Sequence, residues 1–190
     1  MPLSWSRANG SDTAALEWRE EVAVPKTVAI LGSALFFAVA PTTVAGLIPW
    51  WITRWEFRSP FFDLPATRAV GTLLIVAGAL GLVDSFARFA LQGLGTPAPI
   101  APTRNLVVTG LYRHVRNPMY VAVVVIILGQ AALFCDQRLI AYGVLVWLAC
   151  HVFVVGYEEP MLAQTFGIKY DDFRANVPRW IPRLPPWQNT

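Results

Sequence analysis

Four stretches of this chain carry no charged side chain: 27 residues between Lys26 and Arg54, fifteen between Arg68 and Asp84, nineteen between Arg116 and Asp136, and nineteen between Arg138 and Glu158. A bilayer core about 30 Å thick is crossed by roughly 20 apolar residues rising ~1.5 Å each, so the first, third and fourth stretches are spans as they stand. The second reaches that length only if its helix continues through Asp84 and Arg88 to about Leu91. Those two charges stand four residues apart, where they can pair along one face. Such a pair belongs against protein or headgroups, because a lone charge in hydrocarbon is costly. In the first stretch Pro41 and Pro49 leave two options: one kinked helix from about Val28 to Trp51, or two shorter pieces broken at PTTVAG. The expected fold class is all-α, a multi-pass transmembrane helical bundle of four spans, or five if the break is real. With 55% hydrophobic and only 14% charged residues, the 190-residue chain fits no ordinary soluble domain of its size.

The basic residues orient the bundle. If both termini lie on one side, that side holds eleven of the fifteen Lys and Arg residues, and the other holds Arg54, Arg58, Arg68 and Arg138. The bias predicts cytoplasmic termini. The net charge of +3 is then a topology signal, and it argues against a nucleic-acid surface, which needs basic residues clustered on a soluble face. The expected partition is a single integral-membrane domain, with residues 1–24 a cytoplasmic segment, 25–92 the N-terminal spans, and 93–183 a hairpin with its loop and lid. Residues 1–24 lack the progression of a signal peptide, so the first span is expected to stay in the mature chain. Trp50, Trp51 and Trp55 fit an interfacial belt. Cys135 and Cys150 have neither disulfide-framework nor metal spacing and read as packing residues, and no metal is expected. GALG at 78–81 is too short to argue a helix-dimer seam.

Chemistry concentrates around GLYRHVRNPMY at 110–120. Before it, the prolines of LGTPAPIAPTRNLVVTG forbid a regular helix and predict a loop over about 93–111 at the cytoplasmic interface. The helix restarts at Asn117, a good N-cap, with Pro118 in the first helical position. CDQR at 135–138 turns the chain, which returns Tyr157, Glu158 and Glu159 to the level of Asn117. Adjacent carboxylates at the end of a helix, with Pro160 following, oppose the helix dipole and call for partners, of which Arg116 is the nearest. His151 reads as a satisfied interior histidine. Beyond Pro160, Leu162, Phe166, Tyr170 and Phe173 recur at nearly helical spacing, predicting an amphipathic lid interrupted at Gly167, and VPRWIPRLPPW ends regular structure. The expected object is a cavity walled by two helices, floored by the loop and capped by the lid.

NLVVTGLYRHVRNPMY, an apolar hairpin, and EEPMLAQTFGIKYDDFRANVPRWIP together resemble the C-terminal half of the integral-membrane methyltransferases typified by isoprenylcysteine carboxyl methyltransferase, and more distantly the phospholipid methyltransferases, over about residues 97–183. The resemblance implies S-adenosylmethionine as methyl donor, bound at the cytoplasmic face. Carried over position by position, it implies cofactor contacts at Arg104, Asn105, Leu106, Val107, Tyr112, Asn117, Pro118, Met119, Tyr120 and Glu158. Arg116 and Glu159 are the implied catalytic pair, orienting the acceptor or helping to remove a proton. Aromatic faces such as Tyr112 and Tyr120 attract a sulfonium, and a helix N-terminus suits a carboxylate. Two positions depart from the family pattern: Asn117 stands where His is usual, and Val154 lies near where the prenylcysteine enzymes place an Arg. The implied acceptor is therefore a small hydrophobic molecule or lipid headgroup entering sideways from the membrane lipids, ahead of an isoprenylcysteine carboxylate. Two other classes fit parts of the pattern. An NADPH-dependent sterol-reductase-like enzyme would need more spans upstream, and a non-enzymatic membrane protein would tolerate substitution of the loop and Glu pair.

Overall fold

A computed structural model describes residue 35 and residues 39–59, 66–93 and 105–188. The N-terminal segment 1–24, the early part of the first apolar stretch, and most of the proline-rich loop including Arg104 lie outside the described residues. Every regular element among the described residues is helical. Helix α1 covers residues 39–53 and α2 covers Ala66–Arg88, prolonged by a wide turn at Phe89–Gly93. After a 3-10 turn at Gly110–Arg113 come α3 at Pro118–Phe134 and α4 at Gln137–Phe153. Helix α4 passes through a π turn at Val154–Glu158 into α5 at Glu159–Phe166, and α6 spans Ile168–Asn176. The continuous helices Ala66–Gln92 and Gln137–Phe166, of 27 and 30 residues, are long and apolar enough to cross a bilayer, and the 17-residue α3 sits at the short end of that range. Large aliphatic side chains such as Leu73, Leu80, Leu145 and Val152 stand exposed along α2 and α4, as lipid-facing surface does. This is a membrane protein built from helices.

Helices α2 and α3 form the most extensive pairing, and small residues make it possible. A Cβ added at Gly71 would stand 2.5 Å from the Leu133 nitrogen and 2.6 Å from the Gly129 oxygen. One at Gly78 would stand 2.7 Å from Ile126 Cγ1. Gly71, Gly78 and the buried Ser85 repeat every seven residues on α2, so the two backbones meet along one line. In lipid, helices associate through such close packing, with little hydrophobic drive between them. GALG thus contributes Gly78 to a seam within the chain.

Two prolines shape the other helices. PTTVAG is no break. The chain remains helical through it and widens to a π turn at Thr43–Leu47, where the Ile48 N–H bonds the Thr43 oxygen. Pro49 follows and has no N–H for the Ala45 carbonyl, while the widened turn leaves the Val44 carbonyl unclaimed. Both carbonyls are taken by the hairpin: Gln130 Nε2 donates to Ala45 O at 2.6 Å, and the Tyr142 hydroxyl donates to Val44 O at 2.9 Å. Pro160 repeats the device. Against the expectation that the helix stops at the Glu pair, it runs on to Phe166, because the π turn at Val154–Glu158 accommodates the proline one turn later. Glu158 and Glu159 therefore lie inside a helix, away from a dipole end, and their need for partners arises from burial.

The turn at 135–138 forms as its residues suggest. Cys135 adopts a left-handed conformation (φ 55°), and Asp136 caps α4 by accepting from the Arg138 N–H at 2.9 Å. Asp136 is only 1% exposed, and the half-exposed guanidinium groups of Arg58 and Arg138 bind it at 3.3 and 2.7 Å. The neighbouring arginine, hydrogen-bonded to it, holds its carboxyl below the usual carboxylate range. Trp55 stacks on Phe134 at the same end, while Trp51 and Trp50 stay exposed as the belt reading requires.

Candidate active site

At the opposite end of the hairpin the start of α3 is held from behind by the C-terminal segment. The Arg116 N–H donates to Pro178 O, the Arg183 N–H to His114 O, and the Trp187 N–H to Arg113 O, each at 2.9 Å. Side chains reinforce the strap: Arg113 Nε donates to Trp187 O, and the His114 ring nitrogen Nδ1 donates to Arg183 O at 2.9 Å. Arg113 and His114 therefore serve the architecture, securing residues 178–187 across the 113–117 junction. Asn117 starts α3 but does not cap it with its side chain; Nδ2 donates instead to Arg179 O at 3.2 Å.

The Glu pair faces this junction with divided roles. Glu158 accepts a hydrogen bond from the Tyr120 hydroxyl at 3.0 Å. Glu159 is 12% exposed in its side chain and both its oxygens are occupied: Arg179 binds it in fork geometry at 2.7 and 2.8 Å, and Arg116 Nη1 approaches Oε1 at 3.1 Å. The bond to Glu159 raises the Arg179 guanidinium further above its ordinary value. Arg179 carried no recognisable signal in the sequence, since it lies twenty residues away in a segment without periodicity. His151 has its partner too, accepting from Trp180 Nε1 at 3.0 Å with Trp147 beside both rings.

Between these groups lies a half-open cavity of about 500 Å3, part of it continuous with solvent. Of the residues singled out in the sequence, Asn105, Leu106, Val107, Tyr112, Arg116, Asn117, Glu158 and Glu159 line it, so the junction and the carboxylates share one pocket. Tyr120 reaches it through Glu158. Met119 packs into the α1–α4 core instead, and the buried Pro118 marks the helix start. Val154, 1% exposed, forms part of the apolar wall together with Phe89, Leu162 and Phe173; Phe89 had no sequence signal. Tyr170 and Phe173 on α6 close the same side, with Gly167 (φ 53°) making the reversal between α5 and α6.

Two polar atoms in this wall have no partner: the Tyr112 hydroxyl and Arg116 Nε. Tyr112 is 7% exposed, and burial, followed by the nearby Glu158 charge, pushes its phenol up, so it stays a neutral donor. Unsatisfied buried donors are rare, and these two belong to residues that line the cavity. The cavity wall thus combines the Arg116 guanidinium, paired with Glu159, and the carboxylate of Glu158. Such a mixture of charges suits a ligand that carries both an anionic and a cationic group.

The phospholipid methyltransferase family profile matches residues 66–169. Among curated proteins, the chain is 32% identical to protein-S-isoprenylcysteine O-methyltransferase B of Arabidopsis thaliana over 81 residues, 41% of this chain and 40% of that protein. It is 31% identical to protein-S-isoprenylcysteine O-methyltransferase A of the same plant over the same shares. The alignment thus spans about two fifths of each relative. No solved structure matches the chain significantly. The family match runs from the start of α2 to the start of α6 and takes in most of the cavity wall, and the chain belongs to the phospholipid methyltransferase family.

Proposed function

We propose that this protein transfers a methyl group from S-adenosylmethionine to a lipophilic acceptor, in a cavity open to the cytoplasmic interface of a four-span bundle, with α5 and α6 as its lid. The observation that carries the proposal is the set of charges gathered in one cavity in a chain of a methyltransferase family: Glu158 with Tyr120 and the unpartnered Tyr112 hydroxyl nearby, and Arg116 with a free Nε–H. The residues fit the donor. Glu158 would hold its cationic portion, the Arg116 donor its carboxylate, and Asn105, Leu106, Val107, Tyr112 and Asn117 the remainder. When bound, S-adenosylmethionine supplies an electrophilic methyl group on a sulfonium.

The chain's own residues contribute alignment and exclusion of water more than proton chemistry. Phe89, Val154, Leu162 and Phe173 present an apolar surface to the acceptor. With both oxygens held by guanidinium N–H groups, Glu159 is suited to orienting Arg116 and poorly suited to accepting a proton. Val154 in the wall favours a lipid headgroup or small hydrophobic molecule over an isoprenylcysteine carboxylate, for which a fixed cation at that place would be apt. The proposal is tested with purified protein in detergent, labelled S-adenosylmethionine and a lipid extract. Label should enter the lipid phase with the unaltered protein and be lost with Glu158→Ala. Full transfer by that variant would refute the assignment, and calorimetric binding of NADPH in place of S-adenosylmethionine would refute the chemistry.

A further inference from the structure

Arg179 lies beyond the family match, yet it makes the tightest polar contact at the site. Its fork fixes Glu159 from one side, and Glu159 in turn holds Arg116 Nη1 at 3.1 Å. The Tyr170 hydroxyl stands 3.5 Å from the same Nη1. The Arg116 side chain is only 9% exposed, lines the cavity, and still has an Nε–H without a partner. A buried guanidinium on a flexible stem would turn that donor toward any available oxygen, since leaving it unmade costs free energy. It is prevented from doing so because its other edge is pinned. The pin itself is braced twice: Asn117 Nδ2 holds the Arg179 carbonyl, and Trp180 next in sequence is tied to His151 on α4.

We infer that Arg179 is a positioning residue for the reaction proposed above, on which this inference rests: through Glu159 it presents the free Nε–H of Arg116 to a carboxylate or phosphate on a bound ligand. The anion belongs either to the amino-acid portion of the methyl donor or to the acceptor. Glu159 is then a lever between two arginines, and its charge keeps the buried Arg116 and the partly exposed Arg179 compatible with each other. A lysine at 179 would keep the charge but lose the fork that fixes the carboxylate plane.

The experiment compares the unaltered protein with Arg179→Gln and Arg179→Lys in detergent, their folding checked by tryptophan fluorescence melts. Calorimetry measures affinity for S-adenosylhomocysteine, which carries the carboxylate, and for 5′-methylthioadenosine, which lacks the amino-acid portion. Loss of a charge-assisted contact should weaken the first by roughly ten- to a hundredfold in Arg179→Gln and leave the second within about twofold, with Arg179→Lys in between. If the anion is the acceptor's, both affinities hold, while the KM for the lipid extract rises and kcat is maintained. Equal weakening of both nucleosides, or no change in any of these readouts, overturns the inference. Should Arg179→Gln fail to fold, the same comparison in Arg179→Lys decides. Failure of the unaltered protein to bind either nucleoside would overturn the functional reading itself, and this inference with it.

Discussion

Replacing Gln130 by Leu removes the one donor that reaches the Ala45 carbonyl, while keeping the side chain's bulk. In the structure that bond is 2.6 Å long, Gln130 is 6% exposed and Ala45 is 9% exposed, so water cannot take over. An orphaned buried carbonyl costs about 1–3 kcal/mol, and polar contacts between helices in lipid run at about 0.6–1.7 kcal/mol, which together place the expected loss near 1–2 kcal/mol. The carbonyl needs Gln130 only because residue 49 is proline and offers no N–H. The decisive perturbation is therefore the cycle with Pro49→Ala. In that background the helix can supply the missing N–H itself, and Gln130→Leu should become nearly neutral, although Pro49→Ala alone loses packing from a fully buried ring. Denaturation in mixed micelles, followed by the fluorescence of the eight tryptophans, gives all four stabilities. A Gln130→Leu cost of the same size in both backgrounds would refute the account of the π turn.

Three further outcomes are expected. Glu158→Gln keeps an acceptor for the Tyr120 hydroxyl but removes the charge; calorimetry should show S-adenosylmethionine binding weakened roughly tenfold or more, with little change in melting temperature. Gly71→Ala places a methyl group 2.5 Å from the Leu133 backbone nitrogen, which forces α2 and α3 apart. Its expected cost is about 1–3 kcal/mol in the same micelle titration, whereas Gly156→Ala, with open space at its Cβ, should cost little. Asp136 titrates below its ordinary value of 3.8 because Arg138 and then Arg58 favour its charged form. Its stabilisation is therefore present in full above that pH and drains away as pH falls toward the lowered value. Asp136→Asn, which retains an oxygen for the Arg138 N–H, should flatten the acid limb of a melting-temperature profile; an unchanged limb would show that other carboxylates set it.

What the sequence disclosed depended on how local the physics was. Charge-free runs reveal α2, α3 and α4 because hydrocarbon tolerates so few exceptions, and the Asp84–Arg88 pair is read from a spacing of four, realised at 2.9 Å. The turn at Cys135 and the reversal at Gly167 are written in a few adjacent residues. Proline misleads in a regular way: both Pro49 and Pro160 suggest a break, and at both the helix continues by widening one turn earlier. Whether it can do so depends on distant donors, Gln130 and Tyr142 in the first case, which no window around the proline contains. The site shows the same division. Arg116 as a partner for the Glu pair followed from the hairpin bringing them to one level, but the grip of Arg179 on Glu159 requires α5, the Gly167 reversal, α6 and the strap to be in place first.

That dependence has a consequence for how the cavity came to hold two carboxylates with different work. A single acidic residue opposite Arg116 would be consumed by it, leaving nothing for a cationic ligand. With two in succession where the π turn passes into α5, the pair is shared between different neighbours: Glu158 meets Tyr120, and Glu159 meets the two arginines. Pro160 is tied to the chemistry through geometry, because the widened turn before it sets which way the pair faces around the helix. Pro160→Ala should let the helix recover ordinary pitch and swing the pair by a fraction of a turn. Loss of methyl transfer with a melting temperature equal to or above that of the unaltered protein would be the result this argument requires. Retention of full activity would show that the π turn is a packing feature without a role at the site.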